Sequence, residues 1–194
     1  MFSVTLSLLP AGIINGLMFG AIYALVALGL TLIYGVLHII NFAHGAMLML
    51  ALYSAYFLFK ILNIDPYISI LIVTPASYVF GYTIYRWGIG RLSGGRDQNI
   101  LLITLGLSII LENSALFFFT GDQQTISLPY SYESFDLGFL YLSYPKLISF
   151  VASLVICVLL WMLMTLTDLG KAIRAVAKER DGARLVGIDV EHVF

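Results

Sequence analysis

Hydrophobic residues run along this chain in blocks too long for the core of a soluble domain. Residues 2 to 59 contain no Asp, Glu, Lys or Arg. As one helix that stretch would reach about 87 Å, against about 30 Å of bilayer hydrocarbon, so it must fold back. The polar cluster His38, Asn41, His44 and Gly45 marks the predicted turn. The same argument along the chain predicts five spans, at about 12–36, 45–62, 67–86, 99–119 and 147–166. Residues 1–194 thus read as one transmembrane domain, an all-α polytopic helical bundle. After the fifth span the pattern changes. The segment 168–190, DLGKAIRAVAKERDGARLVGIDV, is densely charged. Within it Ala172, Ala175, Val176, Ala183 and Val186 recur at three- and four-residue spacing, and Lys171, Arg174, Lys178 and Arg184 line another face. A half-apolar helix at a membrane exit suits either docking on a soluble partner or lying on the lipid surface.

Smaller features mark the spans. Gly12, Gly16, Gly20 and Ala24 stand at strict four-residue spacing. Helices in lipid associate by close backbone approach, so this stripe is expected to serve helix packing rather than substrate. Pro75 is expected to kink the third span, which neighbouring helices tolerate. Tyr82, Tyr85 and Trp87 fit an aromatic belt. The loop 120–145 gathers Asp122, Glu133 and Asp136 with Tyr130, Tyr132, Phe135, Phe139, Tyr141 and Tyr144. These aromatics are read as interface anchors, with reception of a solute-delivering protein as the sharper alternative.

Composition agrees with a membrane protein: 60% of residues are apolar and 11% charged, where soluble domains carry about 25% charged residues. The net charge of −1 offers no footprint for nucleic acid. Cys157 is the single cysteine and lies in an apolar span, so it builds neither a disulfide nor a thiol metal site. Of the ten Lys and Arg, only Lys60 and Lys146 fall outside the 86–96 loop and the 171–184 segment. The positive-inside bias then puts the Arg86–Arg91–Arg96 loop and the charged segment in the cytoplasm and the N-terminus outside. No Lys or Arg precedes Lys60, so the positive start of a cleaved signal peptide is missing.

Two places could carry chemistry inside the membrane. Glu112 is the acid well inside a span, followed by Asn113. Its insertion cost of about 3 kcal/mol is within what the surrounding apolar residues supply. It either holds helices together through hydrogen bonds or lines a solute route. Asn41 and His44, in the stretch HIINFAHGA, are three apart and would share a helix face. They are either ordinary polar residues of a cytoplasmic turn or part of a broken helix lining the pathway. No nucleophile accompanies them, and a metal site is short of a ligand. The chain has no GxxxxGK[ST] phosphate loop, HExxH, GxSxG or paired-cysteine motif, which speaks against P-loop ATP hydrolysis or an intramembrane enzyme.

Two segments resemble a known family. The stretch NGLMFGAIYALVALGLTLIYGVLHIINFAHGAMLMLALY, Asn15 to Tyr53, and the run RAVAKERDGARLVGI after the fifth span are similar to the LivH-type permeases of ATP-binding cassette importers for branched-chain amino acids. The resemblance implies a non-catalytic permease subunit of a prokaryotic inner membrane. Its implied partners are a second related permease, cytoplasmic ATPase subunits that bind the ATP, and an external solute-binding protein; no cofactor of its own is implied. It carries Arg174, Glu179, Arg180, Arg184 and Gly187 over as the surface that contacts the ATPase, and Asn41, Phe42 and His44 as family signature. Such permeases continue with further spans, so a truncated chain, or a second polypeptide completing it, is expected beyond Phe194. Related solutes such as urea or short amides are an alternative substrate class. An ATPase-independent secondary transporter or channel with Glu112 as ion site, and a structural membrane subunit, are the other readings.

Overall fold

The computed structural model describes residues 2–37, 40–89, 97–128, 134–136 and 141–189. Helices run over Phe2–Leu37 (α1), His44–Leu62 (α2), Pro66–Ile84 (α3), Asp97–Phe119 (α4), Tyr144–Leu166 (α5), Asp168–Lys178 (α6) and Arg180–Leu185 (α7). Five of these, α1 to α5, are long and apolar enough to cross a membrane. The protein is therefore an all-α polytopic bundle. The loop before α5 adds a short antiparallel hairpin, Ser134–Asp136 against Tyr141–Ser143, in the register Ser134↔Ser143.

Local chemistry sets the helix ends. Asn63 takes a left-handed conformation (φ 52°) and its N–H reaches Leu58 O and Phe59 O, closing α2. Asp65 then accepts from Tyr67 N at 2.9 Å, and Pro66 occupies the first turn of α3, where its missing N–H costs nothing. α3 continues helically through Pro75, and a π-helical turn follows at Tyr85–Ile89.

The chain divides into two compact units. The first comprises Met1–His38 and Ser127–Phe194, the second Ile39–Ile126. In the first unit α1 packs on α5 and α6, and α6 packs on α5 and α7. Lys146, at the start of α5, places its Nζ 5.0 Å from the ring centre of Phe19, a cation–π contact. In the second unit α2 packs on α3 and α4. Tyr53, Phe57 and Phe119 form an aromatic cluster there, with Phe119 centred 4.6 Å from Tyr53 and 4.8 Å from Phe57.

What is buried is small: Ala43, Ala46, Ser69, Thr104, Ser108, Ala115 and Ser153, with Met18 as the larger exception among the spans. Large side chains such as Leu71, Phe117 and Trp161 are exposed. In water that would be a defect; in hydrocarbon an exposed Leu costs nothing, and close helix approach selects small residues.

The glycine stripe of α1 departs from this pattern. Gly12, Gly16 and Gly20 are exposed, and among the described residues a Cβ on any of them would meet no atom within 4 Å. The buried residue of that helix, Met18, stands about 200° round from Gly16 and Gly20. Their own unit thus packs the opposite face of α1.

Candidate functional site

Charged and polar positions concentrate in two places, one in each unit. The first is the corner and short helices after α5. Thr167 is the single residue between α5 and α6, in an extended conformation (φ −87°, ψ 154°). Its hydroxyl donates to Leu163 O and accepts from Gly170 N at 3.1 Å, which caps α6. Gly170 is buried against the last turn of α5, with Met164 Cα only 2.6 Å from where its Cβ would lie.

Beyond the corner, Lys171, Arg174 and Lys178 are exposed at i, i+3 and i+7, a basic stripe along α6. Lys171 Nζ donates to Asp168 Oδ1 at 2.9 Å, and this bond holds the Asp168 carboxyl below the usual carboxylate range. The opposite side of α6 carries Val176, 1% exposed, packed with Ala183 and flanked by Ala175 and Ile188.

The apolar face predicted for this segment is not continuous. Glu179 is extended (φ −158°, ψ 110°) and exposed, and it separates α6 from α7. Asp181 and Gly182, two and three residues on, are poor helix formers, so the break costs little. Val176 and Ala183 remain buried across the break, but Val186 is 74% and Leu185 89% exposed. Those two, with the exposed Arg184, form an apolar knob with a basic flank. The sequence pattern placed Val186 on the buried face and missed Leu185; proximity to a helix end was the signal available.

Arg180 is the first residue of α7. Gly187 ends the segment with φ +83°, its N–H bonded to Arg184 O at 3.1 Å and Ile188 N to Ala183 O at 3.1 Å. Only glycine adopts that conformation without strain, so Gly187 has a backbone reason of its own.

The second place is a polar column on α4. Thr104 and Ser108 are buried, and Ser108 Oγ donates to Glu112 Oε1 at 2.8 Å. Thr104 Oγ1 accepts from Phe42 N at 3.4 Å, tying the turn before α2 to this column. Asn41 and His44 do not share a helix face as their spacing suggested. Asn41 lies in the turn, where its Oδ1 accepts from Ala43 N at 3.0 Å and its carbonyl from His44 N at 3.2 Å; His44 is the first residue of α2.

Glu112 stands two turns beyond Thr104, about 12 Å along α4, so the column does not bring it to Asn41 and His44. Asn113 turns away, bonding back to Ile109 O at 2.8 Å. Thr104 and Ser108 went unnoticed in the sequence, although their four-residue spacing to Glu112 was legible.

Near the far end of α4, Gly121–Gln124 help line a pocket of about 340 Å³ with Tyr53, Tyr56, Met49 and Leu52. Arg86 Nη1 donates to Tyr82 Oη at 3.0 Å within the predicted aromatic belt, where Tyr82, Tyr85 and Trp87 are exposed. His38, Arg91, Arg96, Tyr130, Tyr132, Glu133 and Phe139 lie outside the described residues. Among the described residues no three His, Cys, Asp or Glu gather as a metal set.

Comparison with known proteins covers nearly all of this architecture. The high-affinity branched-chain amino acid transport system permease protein BraD of Pseudomonas aeruginosa is 28% identical over 194 residues, covering 94% of this chain and 63% of BraD. The LivH permease protein of the corresponding Escherichia coli system is 25% identical, over 93% of this chain and 62% of LivH. A probable branched-chain amino acid transport permease of Methanocaldococcus jannaschii is 29% identical, over 91% of this chain and 58% of that protein. The chain thus spans about three fifths of the length of these relatives. No solved structure is significantly similar to it. Residues 12–194, from the first membrane helix through the charged segment, match one family throughout, and the chain belongs to the permease component of the branched-chain amino acid transport system.

Proposed function

We propose that this chain is a permease subunit of an ATP-binding cassette importer for branched-chain amino acids, working with a related permease, cytoplasmic ATPase subunits and an external binding protein. The observation that carries the reading is the family match running unbroken from α1 through α6 and α7. It is supported by the position of an exposed basic stripe and an apolar knob directly after a membrane span. The chain's own role is non-catalytic. Its spans supply part of the pathway, and α6 and α7 receive the motion of the ATPase. The charge distribution favours a cytoplasmic α6–α7 segment and an outside N-terminus.

Mechanically, ATP binding closes the ATPase pair and shifts the surface of Arg174, Glu179, Arg180, Arg184 and Gly187. That shift re-biases two packings of the spans, one open to each side. Inverting a 1:99 population requires about 5.5 kcal/mol of differential interaction, more than an exposed ion pair supplies. The apolar knob at Leu185 and Val186 therefore has to share the contact with the arginines. Asn41, His44, Glu112 and Asn113 belong to the pathway side of the mechanism, and Gly12, Gly16 and Gly20 offer a packing face to another membrane helix.

The test is uptake of labelled leucine, isoleucine and valine by membrane vesicles that hold the chain with its partner subunits. Uptake is expected to need internal ATP and to be displaced by branched-chain amino acids. Displacement by urea or short amides instead would move the substrate class, and ATP-independent flux would sink the importer reading. A second reading, an ion-coupled transporter without ATPase, draws on one feature: the exposed carboxylate of Glu112 on a membrane helix. It requires a Glu112→Gln variant to change the pH dependence of uptake.

A further inference from the structure

We infer that the corner between α5 and α6 is a fixed elbow, set by Gly170 and Thr167, through which the fifth membrane span and the charged helix move as one lever. The inference rests on the coupling role proposed above for α6 and α7, and it adds the positioning residues that such a role requires. Sequence alone suggests the opposite, because a glycine shortly after a span reads as a hinge.

The geometry excludes free bending at Gly170. This glycine lies inside α6, not between helices, and it is buried. A Cβ built on it would collide with Leu163 O, Met164 O and Met164 Cα, all under 3.0 Å away. Those carbonyls belong to the last turn of α5, where Leu163 O already accepts from Thr167 N and no space is left for a side chain on Gly170. Glycine is disfavoured in a helix interior; its presence there is accounted for by the close approach, which any side chain would block.

Thr167 removes the remaining freedom. One residue joins the helices, so the corner has only its φ and ψ as soft torsions. A β-branched side chain is stiff about χ1. Its hydroxyl is engaged on both sides, donating to Leu163 O in α5 and accepting from Gly170 N in α6. Its backbone is engaged as well: Thr167 N donates to Leu163 O at 3.3 Å, and Thr167 O accepts from Lys171 N at 3.1 Å. Opening the corner would break this set together, and closing it further would press Gly170 into backbone.

A lever of this kind has two properties. The angle between its arms is the same in both states of a transport cycle. Changing that angle separates ATP hydrolysis from solute movement without removing any group that touches ATPase or solute.

The experiment uses the assembled transporter in lipid, with Cys157→Ser as background and spin labels at Leu159→Cys on α5 and Lys178→Cys on α6. The distance between labels is measured by pulsed spin resonance without nucleotide and with hydrolysis arrested. The expected result is the same distance within about 2 Å, the size of ordinary helix shifts at interfaces; a larger change overturns the elbow.

In parallel, uptake per ATP hydrolysed is measured for Gly170→Ala, Thr167→Val and Thr167→Ser. Gly170→Ala and Thr167→Val are expected to lower it about tenfold, as an overpacked or unclamped contact should, whereas Thr167→Ser keeps the hydroxyl and stays near wild type. Should Gly170→Ala not assemble, the Thr167 pair decides: equal ratios for Val and Ser contradict the inference. An Arg174→Glu variant separates the two layers. If it leaves the ratio unchanged while the label distance stays fixed, the coupling role fails and the elbow stands. If it uncouples while the distance changes, the elbow fails and the coupling role stands.

Discussion

Gly12, Gly16 and Gly20 line an open face of α1, whereas Gly170 is pressed between α6 and the carbonyls that end α5. Both regions place glycine inside a helix, where it costs about 1 kcal/mol per residue relative to alanine. At Gly170 the compensation is visible within the chain, as a backbone approach that leaves no room for Cβ. On α1 none is visible in its unit, since the buried Met18 looks the other way. A glycine with contacts acts on the fold of this subunit; a glycine without them is available to something outside it. On the proposed function, the first part of the chain, at Gly170, would transmit motion and the second, the stripe on α1, would offer a surface to another helix.

The largest effect expected of any single substitution follows from the first part. Gly170→Leu forces α6 off the end of α5 and should cost about 3 kcal/mol or more, against about 1 kcal/mol for Gly170→Ala. Thermal unfolding in detergent, followed by helical circular dichroism, reads both. A Gly170→Leu protein as stable as wild type would erase the contrast between the two glycine regions.

The second part predicts the reverse sign. Gly16→Ala in the isolated chain should gain up to about 1 kcal/mol of helix stability, read by the same melting curve. In the assembled transporter the same change should weaken retention of the partner permease. If retention is untouched, lipid covers the stripe.

Ser108→Ala tests the polar column on α4. It removes the donor to Glu112, and transmembrane side-chain hydrogen bonds contribute about 0.6 kcal/mol on average. The melting shift should be correspondingly small, while Glu112→Gln, which keeps an acceptor oxygen, should be smaller still.

The weakest effect lies at Asp168. Its folded-state titration is lowered by the bond from Lys171, so its contribution to the first turn of α6 is present above the unfolded carboxylate range. That contribution fades as pH falls through the lowered folded value. Lys171→Met should return Asp168 to ordinary carboxylate titration, as followed by the carbon-13 shift of its side-chain carboxyl.

Much of the architecture was legible because its cause is one-dimensional. Long uncharged runs force helices across a bilayer, and Asp65–Pro66 carries its own start signal for α3. The charged segment after α5 was legible for the same reason, as an abrupt change of composition. What sequence could not supply depends on approach in three dimensions. Four-residue glycine spacing is identical whether a neighbour is present or absent, so it names no partner for the stripe on α1, and nothing local to Gly170 announces the backbone pressed against it. The break at Glu179 depends on Val176 and Ala183 finding each other across a bend, which exposes Val186 and Leu185 together. Asn41 and His44 read as helical neighbours because the spacing of three says nothing of where α2 begins.

On the proposed function, the α6–α7 surface is the contact by which an ATPase drives the pore. Its most direct measurement is uptake set beside ATP hydrolysis in one vesicle preparation of the assembled transporter carrying Arg174→Glu or Arg184→Glu. Continued hydrolysis is expected, with uptake reduced at least about tenfold, the change that follows when about 1.4 kcal/mol of coupling is lost. Wild-type uptake and wild-type hydrolysis in both variants would contradict it.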